Sequence, residues 1–596
     1  EERPDIDHLY MTALHALGEQ GGWPLTMFLT PDGAPFWGGT YFPPTPRWGR
    51  PSFRQVLQGV ADAFHAQDDA IQRNTQALRH ALASVGAASP GDAMDADLRD
   101  RCARRLLAGT DPVDGGLRGA PKFPNPPVFR LLWQYGVRSG SAECLDAVRL
   151  LLTRMSFGGI HDHLGGGYAR YATDARWLVP HFEKMLYDNA QILELLALVH
   201  GSSPAALWHE RAAGVVAWMA RDMSAADLDG AAAFAASEDV DSDGEEGRFY
   251  TWTEAEIDTA LGADAAAFKA AYDVTPDGNW EGRTILQRVA APQEPEAEAA
   301  LERSRAKLFA LRAGRVRPGR DDKVLADWNG LAIAALCRAA AAFGQPAWRD
   351  RAAAAFRFVE RNMRGPDGRV AHAWRLGRIA AAGLLDDQAA FARASLALFE
   401  ATGAPHYLAR ARDTVAAADR WFGDADGSYF ATAADAADMP FEGAIRPRIV
   451  ADNATPSGNG MMAETLTRLY QLTGDDTYRA RAEALLKAFA GLGERLAAAP
   501  TLLAAADQLE QAATVAVAGD AGDPATQALL SAALAAPDPA LAVLRANDGA
   551  ALPALHPAHG KTALNGRPTA YVCRGGTCGL PITTEAALRQ ALAHPA

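Results

Sequence analysis

The sequence predicts a mainly helical protein: an (α/α)6 toroid, preceded by a truncated α/β segment of redox-domain type and followed by a small α/β unit. Three observations lead there. About a dozen helical segments lie between residues 94 and 495, the loops joining them are rich in Gly, Asp and aromatics, and strand-like runs appear only near the two ends.

The first segment, residues 1–85, contains "QGGWPLTMFLTPDGAPFWGGTYFPP" (20–44), which reads as a turn, a Trp-Pro step, an apolar run, a Pro-Asp-Gly turn and a second short strand. Residues 53–85 follow as one polar helical stretch, and "GAASPGDA" (86–93) is a linker. From 94 to 495 the helical segments are 95–108, 128–138, 143–156, 186–200, 206–222, 299–313, 328–343, 347–363, 388–402, 405–422, 458–473 and 475–492. In "FEKMLYDNAQILELLALVH" the apolar positions Phe182, Met185, Leu186, Ile192, Leu193, Leu196 and Val199 follow a helical period. Several helices open alike, with an acid, then an amide or Gly, then small apolar residues. The acids are Asp188, Asp327, Asp386 and Asp452, separated by 139, 59 and 66 residues. Such a spacing fits a closed ring of helical hairpins, with a right-handed solenoid as the competing geometry. In residues 512–596, "ATVAVAG" and "ALAVLRAND" are strand-like, "DPATQALLSAAL" is helical, and the terminal stretch reads strand, loop, helix.

Composition excludes several classes. With 596 residues, 49% apolar and 22% charged, the chain can bury a sizeable core. A net charge of -14 argues against nucleic acid or an anionic membrane as partner. Five cysteines are too few for a disulfide framework, and no apolar run has the length of a membrane span. A cytoplasmic protein is expected. The chain opens at Glu1 rather than Met, so an upstream leader or motif would fall outside it.

The chemistry concentrates in "GGIHDHLGGGYARYATDARWLVPHFEKMLYDN" (158–189), which gathers His161, Asp162, His163, His181, Glu183, Lys184 and Asp188 with Tyr168, Tyr171 and Trp177. Histidines and carboxylates in one cleft suit general acid–base work near neutral pH, and aromatic faces suit sugar rings. A His-x-His metal site and a purely loop-stapling network are the competing readings. In "EDVDSDGEEGRFYTWTEAE" the spacing of Asp239, Asp241, Asp243 and Gly244 imitates a calcium loop, but Tyr250 stands where the bidentate Glu belongs, so calcium is rejected. These acids are then expected on a loop over the toroid mouth, with Tyr250 and Trp252 on a following strand, or on a simple solvated loop. No metal and no cofactor are assigned. Asp188, Asp327, Asp386 and Asp452 would supply the two carboxyls of a glycoside hydrolysis if their helices line the ring, although an N-cap role explains each singly. Asn189, Trp328, Asn329, Gln388, Asn453 and Asn459 are the proposed sugar-hydroxyl partners. Cys573 and Cys578 are the only close cysteine pair, read by default as reduced.

The segment "EERPDID…MTALHALGEQGGWPLTMFLTPDGAPFWGGTYFPP" resembles the N-terminal domain of the spermatogenesis-associated protein 20-like family, thioredoxin-domain proteins whose remaining chain is similar to a six-hairpin glycosidase toroid. The resemblance continues through "GAPKFPNP", "SEDVDSDGEEGRFYTW", "DDKVLADWNGL", "DNATPSGNG" and "YVCRGGTCGLPIT", and so spans the chain. It implies a cis peptide before Pro24. It also implies a Cys-x-x-Cys segment upstream of the position matching Glu1, so dithiol exchange is not available to the residues present. The function expected is that of a carbohydrate-active enzyme acting at the loop-rich toroid face. Hydrolysis would use paired carboxylates; epimerisation or isomerisation would use the histidines, with His181 and Glu183 as acid and base and Trp177 as stacking platform. The alternative is a thioredoxin-family redox or folding factor whose toroid is a binding platform. Substrate and oligomeric state stay open.

Overall fold

A computed structural model describes residues 1–593 apart from 67–68, 86, 228–229, 231, 293, 441–445, 547–551 and 576. The N-terminal unit has α1 (Pro4–Ala16), the antiparallel hairpin β1 (Thr26–Leu29) and β2 (Pro35–Gly39), α2 (Phe53–His65) and α3 (Asp69–Val85). The expected single helix over 53–85 is therefore two. Ser52 and Gln55 close a capping box at the start of α2. Leu9, Ala13, Ala34, Leu78 and Leu82 form this unit's own small core, and the Trp23–Pro24 peptide is cis.

Among the described residues, twelve helices make the toroid. Six form an inner ring: α5 (Pro126–Ser139), α7 (Leu186–Ser202), α12 (Ala326–Ala342), α14 (Leu385–Thr402), α16 (Gly458–Thr473) and α18 (Pro500–Gln511). Each packs on the next, and α18 returns to pack on α5, which closes the ring. The outer layer is α4 (Ala96–Ala108), α6 (Ala142–Phe157), α8 (Ala206–Arg221), α13 (Pro346–Asn362), α15 (Pro405–Phe422) and α17 (Asp476–Ala490). The inner helices are buried all round; in α7 every residue from Leu186 to Val199 is buried. Helices with no polar face cannot sit at a surface, which is why they form the inner layer. Gly140, Gly403 and Gly474 end α5, α14 and α16 in the left-handed conformation that a Cβ disfavours.

The sequence expectation of a dozen toroid helices holds in number but not in membership. The segment 299–313 belongs to α11 (Pro295–Arg312), which with α9 (Glu254–Leu261) and α10 (Ala265–Tyr272) forms an insertion with its own apolar cluster. The sixth inner helix is α18, beyond the expected boundary at 495. Its short, Ala-rich run "PTLLAAADQLEQ" carries no Gly-Asp loop signature in front of it.

The C-terminal unit is a four-stranded sheet in the order β4, β3, β5, β6, with β3 (Ala513–Ala518) parallel to β4 (Ala542–Arg545) and antiparallel to β5 (Thr569–Arg574). Alternate residues explain its unbroken apolar run: Ala516, Ala518 and Leu544 join the toroid core, while Val515, Val517 and Val543 join the cluster under α19 (Pro524–Leu534) and α20 (Glu585–Ala593). Cys573 stands opposite Cys578 of β6 (Thr577–Cys578), and the two are disulfide-bonded rather than reduced. Direct cross-strand pairing brings the sulfurs together, which a Cys-x4-Cys spacing alone does not reveal.

Candidate functional site

Decorated loops precede the inner helices other than α18, and the loop before α16 is tied to the start of α18, so the inner N-termini open on one loop-rich mouth. The first residues of the chain lie on its rim: the Glu1 carbonyl accepts from His372 Nε2 at 2.6 Å, and Lys323 Nζ lies 3.4 Å from Glu1 and 3.2 Å from Glu2.

Near the start of four inner helices a buried amide clamps the backbone of the preceding loop. Asn189 accepts from Tyr168 N and donates to Tyr168 O and Met185 O; Asn329 does the same with Phe234 and Leu325, and Asn459 with Tyr429 and Ile449. Gln388 holds Val370 N and O and Leu384 O. These four amides are fully buried and both N–H donors of each are used, so they present nothing to a sugar and their expected substrate-binding role is replaced by a structural one. Asn453 is exposed and accepts from Ala454 N.

The amides also correct the register of the repeat. Counted from them, Asp188 is equivalent to Asp387, and Asp327 to Asp386, while Asp452 lies outside any helix. Asp452 instead accepts from Ser457 N at 2.8 Å and Thr501 N at 2.7 Å, tying its loop to the start of α18.

The carboxyls at the mouth differ in state. Asp188 is buried, with Oδ2 unpartnered among the described residues. Burial pushes its carboxyl well above the usual range; Arg170 opposes this and Glu183 reinforces it. Tyr187, packed edge-on against Trp328 at 4.7 Å, brings the starts of α7 and α12 together. Burial raises Asp327 to about 7, against the pull of His372. Burial, with Asp387 beside it, raises Asp386 to about 6, and burial raises Asp452 to about 6. The sequence reading missed His372 and Asp387. His372 Nδ1 lies 2.9 Å from Asp387 Oδ1 and 4.0 Å from Asp327. Burial opposes charge on His372, but Asp387 and Asp327 outweigh it and hold its pKa at about 10. Donor atoms of Asp327, His372 and Asp387 lie within 4.8 Å of one another, as a metal site requires. An imidazolium with one nitrogen on Asp387 and the other on the Glu1 carbonyl has no lone pair to offer, so this cluster is filled by its own proton. The signal for it was "LLDD", where the second acid, not the first, closes on the preceding Leu384 N.

The predicted histidines do not share one cleft. His161 and His163 are buried beside Tyr168 and Tyr272 and line a cavity of about 30 Å³ with Lys184, Tyr250 and Arg312. Burial, helped by Arg211, holds His161 well below its usual range and His163 at about 3, so both are neutral. Asp162 is consumed by Lys184 at 2.8 Å and by a two-pronged contact with Arg312 of α11 at 2.8 Å each. His181 alone is partly open, stacked on Tyr171 at 4.9 Å, with Nδ1 3.2 Å from Glu246 and Nε2 3.7 Å from Glu183. Glu183 is held by Arg170 at 3.0 Å.

Trp177 and Tyr168 have no exposed surface; Trp177 donates to Asp114 O and Tyr168 hydrogen-bonds Ser156. Neither offers a face to a ring, so the stacking role expected of Trp177 is withdrawn. Trp252 is buried under Arg315 and bridges Thr284, in no regular strand. Tyr250 stacks on Phe182 at 5.6 Å with its hydroxyl unpartnered among the described residues. Trp328 keeps 7% exposure and Tyr171 is half-buried.

Fold and mouth together define a toroidal (α/α)6 protein fronted by a thioredoxin-like unit. Residues 1–83 match a family model described as Thioredox_DsbH, a protein of unknown function, DUF255. Spermatogenesis-associated protein 20 of Homo sapiens is 31% identical over 669 residues, covering 100% of this chain and 82% of the relative. The Mus musculus protein is 31% identical, covering 99% and 81%, and an uncharacterized protein of Caenorhabditis elegans 27% identical, covering 98% and 85%. The chain belongs to the spermatogenesis-associated protein 20 family. Among solved structures, cellobiose 2-epimerase from Spirochaeta thermophila is similar at a TM-score of 0.41 and 13% identity, covering 65% of this chain and 83% of that one. A D-mannose isomerase is similar at 0.41 and 11%, covering 66% and 86%.

Proposed function

We propose that the toroid mouth is a carbohydrate-processing site that cleaves glycosidic bonds, with Asp188 as general acid and Asp327 as general base. The observation that carries this reading is the divergence of the mouth carboxyls. Burial holds Asp188 well above the usual carboxyl range and one of its oxygens has no partner among the described residues, whereas Asp327 is raised to about 7. A pair of carboxyls whose environments separate their acidities is what acid–base cleavage of an acetal needs. Arg170, between Tyr187 and Glu183, would hold charge at the acid, and His372 would hold it at the base. Trp328, at the start of α12, and the half-buried Tyr171 would be the aromatic faces for a sugar ring.

The test is turnover of an aryl-glycoside and disaccharide panel by the full chain. Asp188→Asn and Asp327→Asn should each lower kcat by about 100-fold or more while leaving the unfolding midpoint close to wild type. Wild-type turnover in Asp188→Asn would remove the assignment. The acid limb of the pH profile should rise through about 7 as Asp327 ionises.

A second reading rests on His181, the one open histidine of the three, set between Glu183 and Glu246. It would act as the base of an isomerisation or epimerisation. Interconversion of reducing sugars without hydrolysis, abolished in His181→Ala, would favour it. A redox or folding role stays attached to the thioredoxin-like unit, whose cis Trp23–Pro24 step carries an exposed indole. No cysteine of this sequence precedes Cys102.

A further inference from the structure

The lumen beneath the mouth is polar. At mid-depth Arg130 and Arg393 each face both Glu194 and Glu464: Arg130 lies 3.2 Å from Glu194 and also contacts Glu464, and Arg393 lies 3.0 and 3.7 Å from the two. Two guanidiniums meet two carboxylates, so this layer is neutral. This layer forms part of the wall of a cavity of about 80 Å³ that extends toward the C-terminal ends of the inner helices, where Ala533–Val543 of the C-terminal unit roof it.

The carboxylates of this wall are each held by an arginine, Glu194 and Glu464 within the layer, Asp538 by Arg138 and Glu400 by Arg468, and two cations keep donors to spare. Arg468 donates to Pro539 O at 2.8 Å and to Leu541 O, and lies 3.6 Å from Glu400. Glu400 is itself taken by Val543 N at 2.8 Å. Arg338 has only two long contacts, to Ala536 O at 3.4 Å and Pro539 O at 3.5 Å, and forms no ion pair among the described residues. A guanidinium has five donors in a planar fork, so most of its hydrogen-bonding capacity is unused here. Thr465, 1% exposed, lines the same cavity with a hydroxyl that has no partner among the described residues. Burial lowers the pKa of Arg338; Glu194 and Glu400 oppose this and Arg468 and Arg130 add to it.

We infer that this lower cavity binds a small tetrahedral oxyanion, of phosphate or sulfate type, gripped by Arg338 and Arg468 with Thr465 donating a hydroxyl. A fork of N–H donors facing an oxyanion gives short charge-assisted bonds, and the negative charge offsets the adjacent cations. The size agrees: on the scale where one water needs about 10–15 Å³, the cavity admits roughly five to eight such spheres, enough for a five-atom oxyanion. Because Pro539 and Leu541 come from the C-terminal unit, the bound anion would fasten that unit to the ring. The site is separate from the mouth, so its fate does not depend on the reading given there.

The experiment is titration calorimetry and thermal unfolding of the full chain with inorganic phosphate and with sulfate, against chloride at equal ionic strength. The expected result is a saturable heat and a saturable rise of the midpoint with one or both oxyanions. Arg338→Gln should weaken the apparent Kd by at least about tenfold, and Thr465→Val, nearly the same shape, by about threefold or more. A rise that grows without saturating, equal in wild type and both variants, is the general effect of excluded salts and overturns the proposal. So does the absence of any oxyanion response beyond chloride. If Arg338→Gln does not fold, an unchanged Kd in Thr465→Val overturns the assigned grip.

Discussion

Asn329, fully buried, accepts from Phe234 N and donates to Phe234 O and Leu325 O. Replacing it by Leu leaves three backbone groups unpaired, and the expected loss is about 3 kcal/mol or more in urea unfolding. Asn453→Leu, at an exposed loop position, should change stability by less than about 0.5 kcal/mol. The two residues look alike in sequence, an Asn close to an Asp near a helix start. That likeness is why the amides were legible as important but not as clamps: partners far along the chain decide the role. His372 gives a pH signature. Its folded pKa, about 10, lies above the ordinary value near 6.5, so the stability it contributes is complete below about 6.5 and is lost as the pH rises toward 10. His372→Gln should flatten that alkaline decline in unfolding midpoints measured from pH 6 to 10 while leaving other pH dependence in place. A decline equally steep in the variant would show that another group is responsible.

At the scale of elements, the inner helices show how apolar and charged packing coexist. α7, α14 and α16 are buried nearly throughout, yet each sends a charge to the axis: Glu194, Arg393 and Glu464. Arg130 of α5 completes the set, so four of the six inner helices are joined by one ion network. Breaking one member strands its partners. Glu464→Leu is expected to cost about 3–5 kcal/mol, measured by denaturant unfolding, while Glu483→Leu, at a surface i,i+4 pair, costs under about 1 kcal/mol. Helix positions were readable because their period and caps are local. The ion network was not, since Glu194 and Arg393 stand in helices whose neighbours are apolar and nothing in the sequence marks them as facing one axis. α18 was overlooked for a related reason: its Ala-rich turns lack the decorated loop that announces the other inner helices.

For the whole molecule, the division into three units was legible from changes in composition. The insertion holding α9–α11 was not, because its helices share the pattern of the ring. Arg312 of α11 reaches back to Asp162, and with Lys184 it anchors the insertion to the loop in front of α7. Asp162→Asn should therefore lower the unfolding midpoint and increase proteolysis within 224–325, although Asp162 touches none of the proposed catalytic carboxyls.

Closure of the ring by its last helix has a bearing on how the protein is made. Gln134 of α5 finds its partner at Ala504 of α18, 370 residues later. At roughly 5–20 residues per second, a ribosome takes about 20 to 75 seconds to cover that distance. During that interval the flank of the first inner helix that packs on α18 has no partner from that helix. The seam can be sealed only after α18 has left the ribosome, however many hairpins have stacked before it.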